Sequence, residues 1–72
     1  MEKIFEKGKY YVIWEKYREK GGKFIESKKN RHNGKFLHVI WFKTRVEELI
    51  PQSWIEREAN EEEYKEIFVR LI

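Results

Sequence analysis

Two histidines, His32 and His38, are the side chains of this 72-residue chain that can exchange a proton near neutral pH. With Arg31 as a phosphate clamp and Tyr10 close by, His38 could serve as the acid or base of a small nuclease. A histidine in a basic hairpin is more often a binding contact or a solvated side chain. We therefore interpret His38 as a contact residue and expect no catalytic role for it.

Motifs for other kinds of catalysis are absent from the sequence. It has no HExxH motif, no glycine-rich phosphate loop and no nucleophile elbow. Its hydroxyl side chains other than tyrosine are Ser27, Thr44 and Ser53, and the last two stand where helix caps are expected. The glutamates at 61–63 suit the positive end of a helix, and no histidine accompanies them in a metal site. The sequence therefore predicts a binding protein with no catalytic residue, no metal and no cofactor.

The cysteine content and the length of the apolar runs indicate in which cellular compartment the protein is expected. The sequence has no cysteine, so it has neither disulfides nor a thiolate metal site, and we expect a reducing compartment such as the cytoplasm. No apolar run approaches the roughly 18 residues of a membrane span. The charged N-terminal residues lack the apolar stretch of a signal peptide. We expect one small domain over residues 1–72 that does not contact a membrane.

Charge is distributed unevenly along the chain. Residues 1–45 contain 13 Lys and Arg against 5 Glu, a balance of +8. Residues 46–72 contain 3 Lys and Arg against 8 Glu, a balance of −5. This asymmetry indicates an anionic partner for the first part, or two halves that attract each other, and both can hold together.

Two glycine-containing turns divide residues 9–43 into a predicted three-stranded meander. Residues 9–17 are rich in Tyr, Val, Ile and Trp and suit a strand, although their aromatic spacing also matches a helix. Gly21-Gly22 could be a hairpin turn or a helix stop, and we favour the turn because Lys23 starts a return strand. Asn33-Gly34 tolerates the positive φ of a two-residue type I′ turn, and the apolar strand FLHVIWF follows.

These turns predict a register, and the register sorts the side chains onto two faces. Folding at the two turns puts Arg18 opposite Ile25 and Ile25 opposite Phe42. The first face then has the glutamates of the meander and an apolar floor, which we expect the C-terminal helix to cover: Ile13, Phe24, Leu37, Val39 and Trp41. The second face is predicted to be basic, aromatic and free of carboxylates.

Residues 45–58 allow two interpretations. Thr44 with Glu47 and Ser53 with Glu56 both match helix capping boxes, whereas Pro51 forbids one continuous helix. The alternative is a fourth strand over 45–50, followed by a single helical turn at 51–55.

The end of the chain predicts a helix over residues 61–72. Asn60 and Glu63 form a third capping box, and the neighbouring glutamates complement the helix N-terminus. An apolar stripe at helical spacing follows, made of Tyr64, Ile67, Phe68 and Leu71.

The second face carries the functional prediction. Cationic surfaces with aromatic platforms are how sheet proteins hold single-stranded nucleic acid, because every base has a π-face and every nucleotide a phosphate. The predicted nucleic-acid-binding residues are Tyr10, Trp14, Lys16, Arg18, Lys29, Arg31, Lys35, Phe36 and His38. In the alternative interpretation this face is the inner wall of a closed barrel, with its cations solvated at the strand ends. The alternative function is a protein-binding module, for example an inhibitor encoded by a virus or mobile element, which grips a partner protein.

The segment FLHVIWFKTRVEELIPQSWI, residues 36–55, resembles the second half of a Tudor- or chromo-type SH3-like barrel. GKYYVIWEKY and GGKFIESKK are similar to its first two strands, so the resemblance covers about residues 8–55. It implies binding of methylated Lys or Arg in an aromatic cage, or of nucleic acid, and assigns no cage residue here. We expect an α+β fold: an antiparallel sheet of three or four strands, open or closed as an SH3-like barrel, with a C-terminal helix.

Overall fold

The computed structural model describes residues 3–29, 31–32 and 34–71, with side chains for 5–29 and 34–69. A five-stranded antiparallel open sheet and one C-terminal helix make up an α+β fold, which confirms the predicted class. The sheet has the order β6-β5-β3-β2-β7, and β1 pairs with β4 in a separate two-stranded sheet. The elements are β1 (Lys3–Ile4), β2 (Tyr10–Ile13), β3 (Phe24–Ser27), β4 (Arg31–His32), β5 (Phe36–Trp41), β6 (Glu47–Pro51), β7 (Ile55–Glu58) and α1 (Glu61–Leu71).

The connection between β2 and β3 differs from the predicted two-residue turn. After β2 the chain makes one 3₁₀ turn over Glu15–Tyr17, so residues 10–17 are neither one long strand nor an α-helix. Gly22 has a φ of 96°, which favours glycine. Gly21 lies against the Trp41 side chain, and a Cβ at this position would be 2.5 Å from Cγ of Trp41. The two glycines therefore lie at the end of a longer loop. Gly21, which has no Cβ, lets this loop pack against the Trp41 indole.

The strand register corrects the predicted faces. Ile25 lies opposite Tyr11 and Trp41, where Arg18 and Phe42 were predicted. Relative to the prediction, the pairing of β2 with β3 is displaced by seven residues and the pairing of β3 with β5 by one residue. An odd displacement reverses the face of the sheet to which each side chain of a strand points. The side chains of β3 therefore point to the faces opposite to those predicted. Glu26 lies on the second face, and the prediction that this face has no carboxylate is wrong.

The hairpin predicted at Asn33-Gly34 is only partly described. Asn33 lies outside the described residues, so the type I′ turn stays a prediction. Arg31 pairs with Ile4 in the small sheet and not with Phe36. β4 therefore pairs with β1, where the sequence predicted pairing with β5.

The reversal of β3 divides the apolar residues between two cores. The first core lies on the sheet face away from α1 and consists of Phe5, Tyr11, Ile13, Ile25, Leu37, Val39, Trp41 and Ile50. The second core lies between the sheet and α1 and consists of Tyr10, Val12, Phe24, Ala59 and Ile67. The helix thus covers the face opposite to the one predicted. Trp41 is 1% exposed, as expected of a core residue, but Trp54 and not α1 packs beside it.

Of the two interpretations of residues 45–58, the strand followed by one helical turn is correct. β6 ends at Pro51, and a 3₁₀ turn over Gln52–Trp54 follows at once. The chain then enters β7, which the sequence did not predict and which pairs with β2. β6 and β7 are the two edges of the sheet, so a three-residue turn joins opposite edges and the sheet must curl to let it do so.

The predicted capping box starts α1 as expected. The Asn60 side-chain oxygen accepts a hydrogen bond from the Glu63 N–H, and the Glu63 carboxylate accepts one from the Asn60 N–H, both 2.9 Å long. Glu63 also accepts hydrogen bonds from Arg57 on β7 and lies 3.1 Å from the Lys23 ammonium. This carboxylate is 8% exposed, so one buried group caps the helix and attaches it to the sheet.

The predicted apolar stripe of α1 is only partly buried. Ile67 is fully buried and Tyr64 is half-buried, whereas Phe68 is 53% exposed. The Leu71 side chain lies outside the described residues.

We expect Asn60→Ala to lower the free energy of unfolding by about 0.5–2 kcal/mol, because the Glu63 N–H loses its acceptor. Asn60→Asp keeps an acceptor and should unfold at nearly the same denaturant concentration as the parent. Chemical denaturation checks both variants, and equal midpoints for Asn60→Ala and the parent would contradict the cap.

Acid should weaken the attachment of α1. The Arg57 guanidinium, helped by the Asn60 N–H and by Lys23, lowers the pKa of Glu63 from 4.5 to about 2, against the opposing effect of burial. A depressed folded-state pKa contributes stability above pH 4.5, and this contribution is lost as pH falls toward 2. The stability difference between the parent and Glu63→Gln should therefore shrink over that interval. A difference that stays constant in urea titrations from pH 5 to pH 2 would contradict this role.

Candidate nucleic-acid interface

The predicted binding residues do not share one face. Tyr10 is buried in the second core, where its hydroxyl donates to Glu26 at 3.3 Å, and burial raises the pKa of this phenol. Arg18 donates from Nε to the Ile13 carbonyl at 2.7 Å, so its guanidinium holds the loop after β2. His38 lies half-buried on β5, with Nε2 2.9 Å from a Glu47 carboxylate oxygen. These three side chains have internal partners and do not form a basic surface.

A further predicted residue stands apart from both grooves described below. Lys29 is exposed in the loop after β3. The side chain of Arg31 lies outside the described residues, so its predicted contact with phosphate stays a prediction.

Four predicted residues do come together, around two adjoining grooves. The first groove has a volume of about 600 Å³ and is lined by Trp14, Glu15, Lys16, Tyr17 and Ser53. The second groove has a volume of about 470 Å³ and is lined by Gly34, Lys35, Phe36, Pro51, Gln52 and Ser53. Ser53 lines both, so the two grooves adjoin at this residue.

Backbone hydrogen bonds hold both grooves in place. The Trp14 N–H donates to the Trp54 carbonyl at 2.9 Å, which joins the end of β2 to the 3₁₀ turn after β6. The Gln52 N–H donates to the Lys35 carbonyl at 2.8 Å, and its side-chain amide donates to the Phe36 carbonyl at 3.2 Å. The turn at Gln52–Trp54 therefore fixes the loop before β5 and the loop after β2 against each other.

The first groove has an aromatic wall that the sequence did not assign to the site. Tyr17 stacks on Trp54 with ring centroids 4.7 Å apart and an angle of 9° between the planes. Trp54 in turn packs against the buried Trp41. Trp14 and Tyr17 lie three residues apart around a 3₁₀ turn, which puts them on the same side. Their helical spacing was the sequence signal that could have placed Tyr17 beside Trp14.

Each groove presents one exposed ring. Trp14 is 46% exposed and Phe36 is 45% exposed, although both are large apolar side chains. Tyr17, in contrast, is half-buried by its contact with Trp54. Trp14 and Phe36 therefore leave ring surface free for a planar partner to stack on.

The acidic half of the chain neutralises part of the basic half. Ion pairs join Lys9 to Glu58 at 3.5 Å, Lys20 to Glu48 at 3.2 Å and Lys23 to Glu63 at 3.1 Å. Ion pairs within the protein thus neutralise part of the opposite charge of the two halves of the sequence.

The lysines of the two grooves are not neutralised in this way. Within the described part of the chain, neither Lys16 nor Lys35 has a carboxylate within 4.0 Å. The Lys16 ammonium lies 5.1 Å from the centre of the Tyr17 ring. Each groove therefore combines a lysine that has no ion pair among the described residues with exposed aromatic surface, and the first groove also contains the Glu15 carboxylate.

Comparisons with protein-family models, with curated proteins and with solved structures find no match to this chain. The resemblance to Tudor- and chromo-type modules accordingly stays a prediction. Over the described residues, no helix has the length and apolar character needed to cross a membrane. Those same residues contain no cluster of three or more histidine, aspartate or glutamate side chains that could hold a metal ion.

Stability measurements should distinguish the groove lysines from the paired ones. Lys16→Gln and Lys35→Gln should each change the free energy of unfolding by less than about 0.5 kcal/mol, because no carboxylate loses a partner. Lys23→Gln removes a cation from the buried Glu63 carboxylate and should cost about 0.5–1 kcal/mol. Chemical denaturation of the three variants checks the contrast, and a larger loss for either groove lysine than for Lys23 would contradict it.

Proposed function

We propose that this protein binds single-stranded nucleic acid along the two adjoining grooves. The observation that carries the proposal is the pairing of an exposed ring with an unneutralised lysine in each groove: Trp14 with Lys16, and Phe36 with Lys35. Base-on-ring stacking and contacts between ammonium groups and phosphates are the two interactions from which sequence-tolerant single-strand binding is built. The cysteine-free sequence suits a reducing compartment, and we propose the cytoplasm as the place of action.

In this proposal one base stacks on Trp14 and another on Phe36. Lys16 and Lys35 contact the phosphates, and the backbone passes Ser53 between the two rings. A duplex buries the π-faces of its bases in its own stack, so a single strand fits these rings better. Because the hydrogen bonds around Gln52 hold the loops before binding, little conformational entropy is lost when the strand binds.

A fluorescence-anisotropy titration with a labelled oligonucleotide of about ten nucleotides tests the proposal. Trp14→Ala and Phe36→Ala should each weaken binding by about 1–3 kcal/mol and leave its salt dependence unchanged, since they remove stacking. Lys16→Gln and Lys35→Gln should instead lower the slope of log K against log salt by about 0.7 for each lost phosphate contact.

Two residues on α1 provide matched controls. Phe68 is exposed to a similar degree as Phe36, and Lys65 is an exposed lysine, and neither lines a groove. Phe68→Ala and Lys65→Gln should bind as the parent does. No binding of the parent protein to single-stranded DNA or RNA at low salt would overturn the proposal, as would equal losses in the control variants.

The exposed side of α1 favours a second candidate function, which is contact with a partner protein. Phe68 and Val69 are 53% and 72% exposed, and the glutamates at 61, 62 and 66 are exposed on the same helix. An acidic helix with exposed apolar side chains suits an apolar site with a basic rim on another protein. If the parent protein fails to bind any oligonucleotide, this second function becomes the leading one.

A further inference from the structure

One carboxylate in the first groove has no ion-pair partner among the described residues. Glu15 lines the groove beside Trp14 and Tyr17, and its side chain is exposed. Within the described part of the chain, it takes part in no ion pair and accepts no hydrogen bond from a side chain. A free carboxylate at this place opposes phosphate binding, so it needs an explanation in a groove that is proposed to hold nucleic acid.

The 3₁₀ turn separates this carboxylate from the neighbouring lysine. Successive side chains of a 3₁₀ helix leave the axis about 120° apart, so Glu15 and Lys16 leave the turn in different directions although both line the first groove. A phosphate is attracted to the Lys16 side and repelled from the Glu15 side. A nucleotide stacked on Trp14 would therefore place its base edge, and not its backbone, near Glu15.

We propose that Glu15 makes the first groove select bases that carry an amino group, so that cytosine is bound in preference to uracil. This inference rests on the proposed function and concerns its specificity. A carboxylate accepts hydrogen bonds and donates none, and the N4 amino group of cytosine is a donor that it can accept from. Uracil has the O4 carbonyl at the same position, and two acceptors facing each other repel.

Cytosine and uracil provide a sharp test because they stack similarly and differ at the pyrimidine edge. Labelled deoxycytidine and deoxyuridine homopolymers of about ten nucleotides are titrated with the protein at neutral pH and low salt. The parent should bind the cytosine strand at least about fivefold more tightly. Glu15→Gln places a group that both donates and accepts in the groove, and should reduce this ratio below about twofold.

Glu19→Gln is the matched control, because Glu19 is an exposed glutamate of the same loop and lies outside both grooves. It removes the same charge and should keep the cytosine preference of the parent. Melting curves of the two variants should coincide with that of the parent, since both side chains are exposed.

The outcomes separate this inference from the proposed function. Tight binding of both strands without a preference overturns the selectivity and leaves the proposed function standing. A preference that Glu15→Gln retains, or that Glu19→Gln abolishes, overturns the role of Glu15. Failure of the parent to bind either strand overturns the proposed function itself.

Discussion

The rest of the structure depends on the short connection between the two edge strands of the sheet, β6 and β7. β6 and β7 lie at opposite edges, and only the 3₁₀ turn at Gln52–Trp54 separates them in the chain. The sheet must curl around the first core so that both edges reach this turn. The same turn donates a hydrogen bond to the loop before β5 and accepts one from the loop after β2. As a result, residues that are far apart in sequence line two grooves that meet at Ser53.

The helix depends on a different group, the Glu63 carboxylate. It caps α1 through Asn60 and reaches Arg57 on β7 and Lys23 before β3. A buried carboxylate is costly unless it is paired and hydrogen-bonded, and here several donors surround it. The ion pairs between the acidic and basic halves act in the same way at the surface. These ion pairs reduce the number of described lysines that have no carboxylate within 4.0 Å. Lys16 and Lys35 in the two grooves are among the lysines that remain unpaired.

Local signals in the sequence were sufficient for several elements. The apolar runs predicted β3 and β5, and the capping box of Asn60 and Glu63 predicted the start of α1. Strand pairing could not be predicted in this way, because Gly21-Gly22 ends a loop that contains a 3₁₀ turn. Gly21 of this loop lies against the Trp41 side chain, a long-range contact that the local turn chemistry does not reveal. An odd error in loop length then exchanged the faces of β3 and placed the helix on the wrong side of the sheet.

The candidate site was predicted for a reason that proved wrong. Trp14, Lys16, Lys35 and Phe36 were grouped through one face of the predicted meander, whereas the structure brings them to adjoining grooves at one turn. Tyr17 and Trp54 were missed because their stacking joins segments far apart in the chain. β7 was missed because its sequence, IERE, has a single apolar residue and no alternation of apolar and polar residues.

A single strand that lies along the two grooves should contact both of them at once, and residue-resolved NMR tests this most directly. Isotope-labelled protein is titrated with an unlabelled oligonucleotide of about ten nucleotides at low salt. The backbone amide signals of residues 14–17, 34–36 and 52–54 should shift together and saturate, while those of residues 61–69 should stay in place. An unchanged spectrum, or shifts confined to α1, would contradict it.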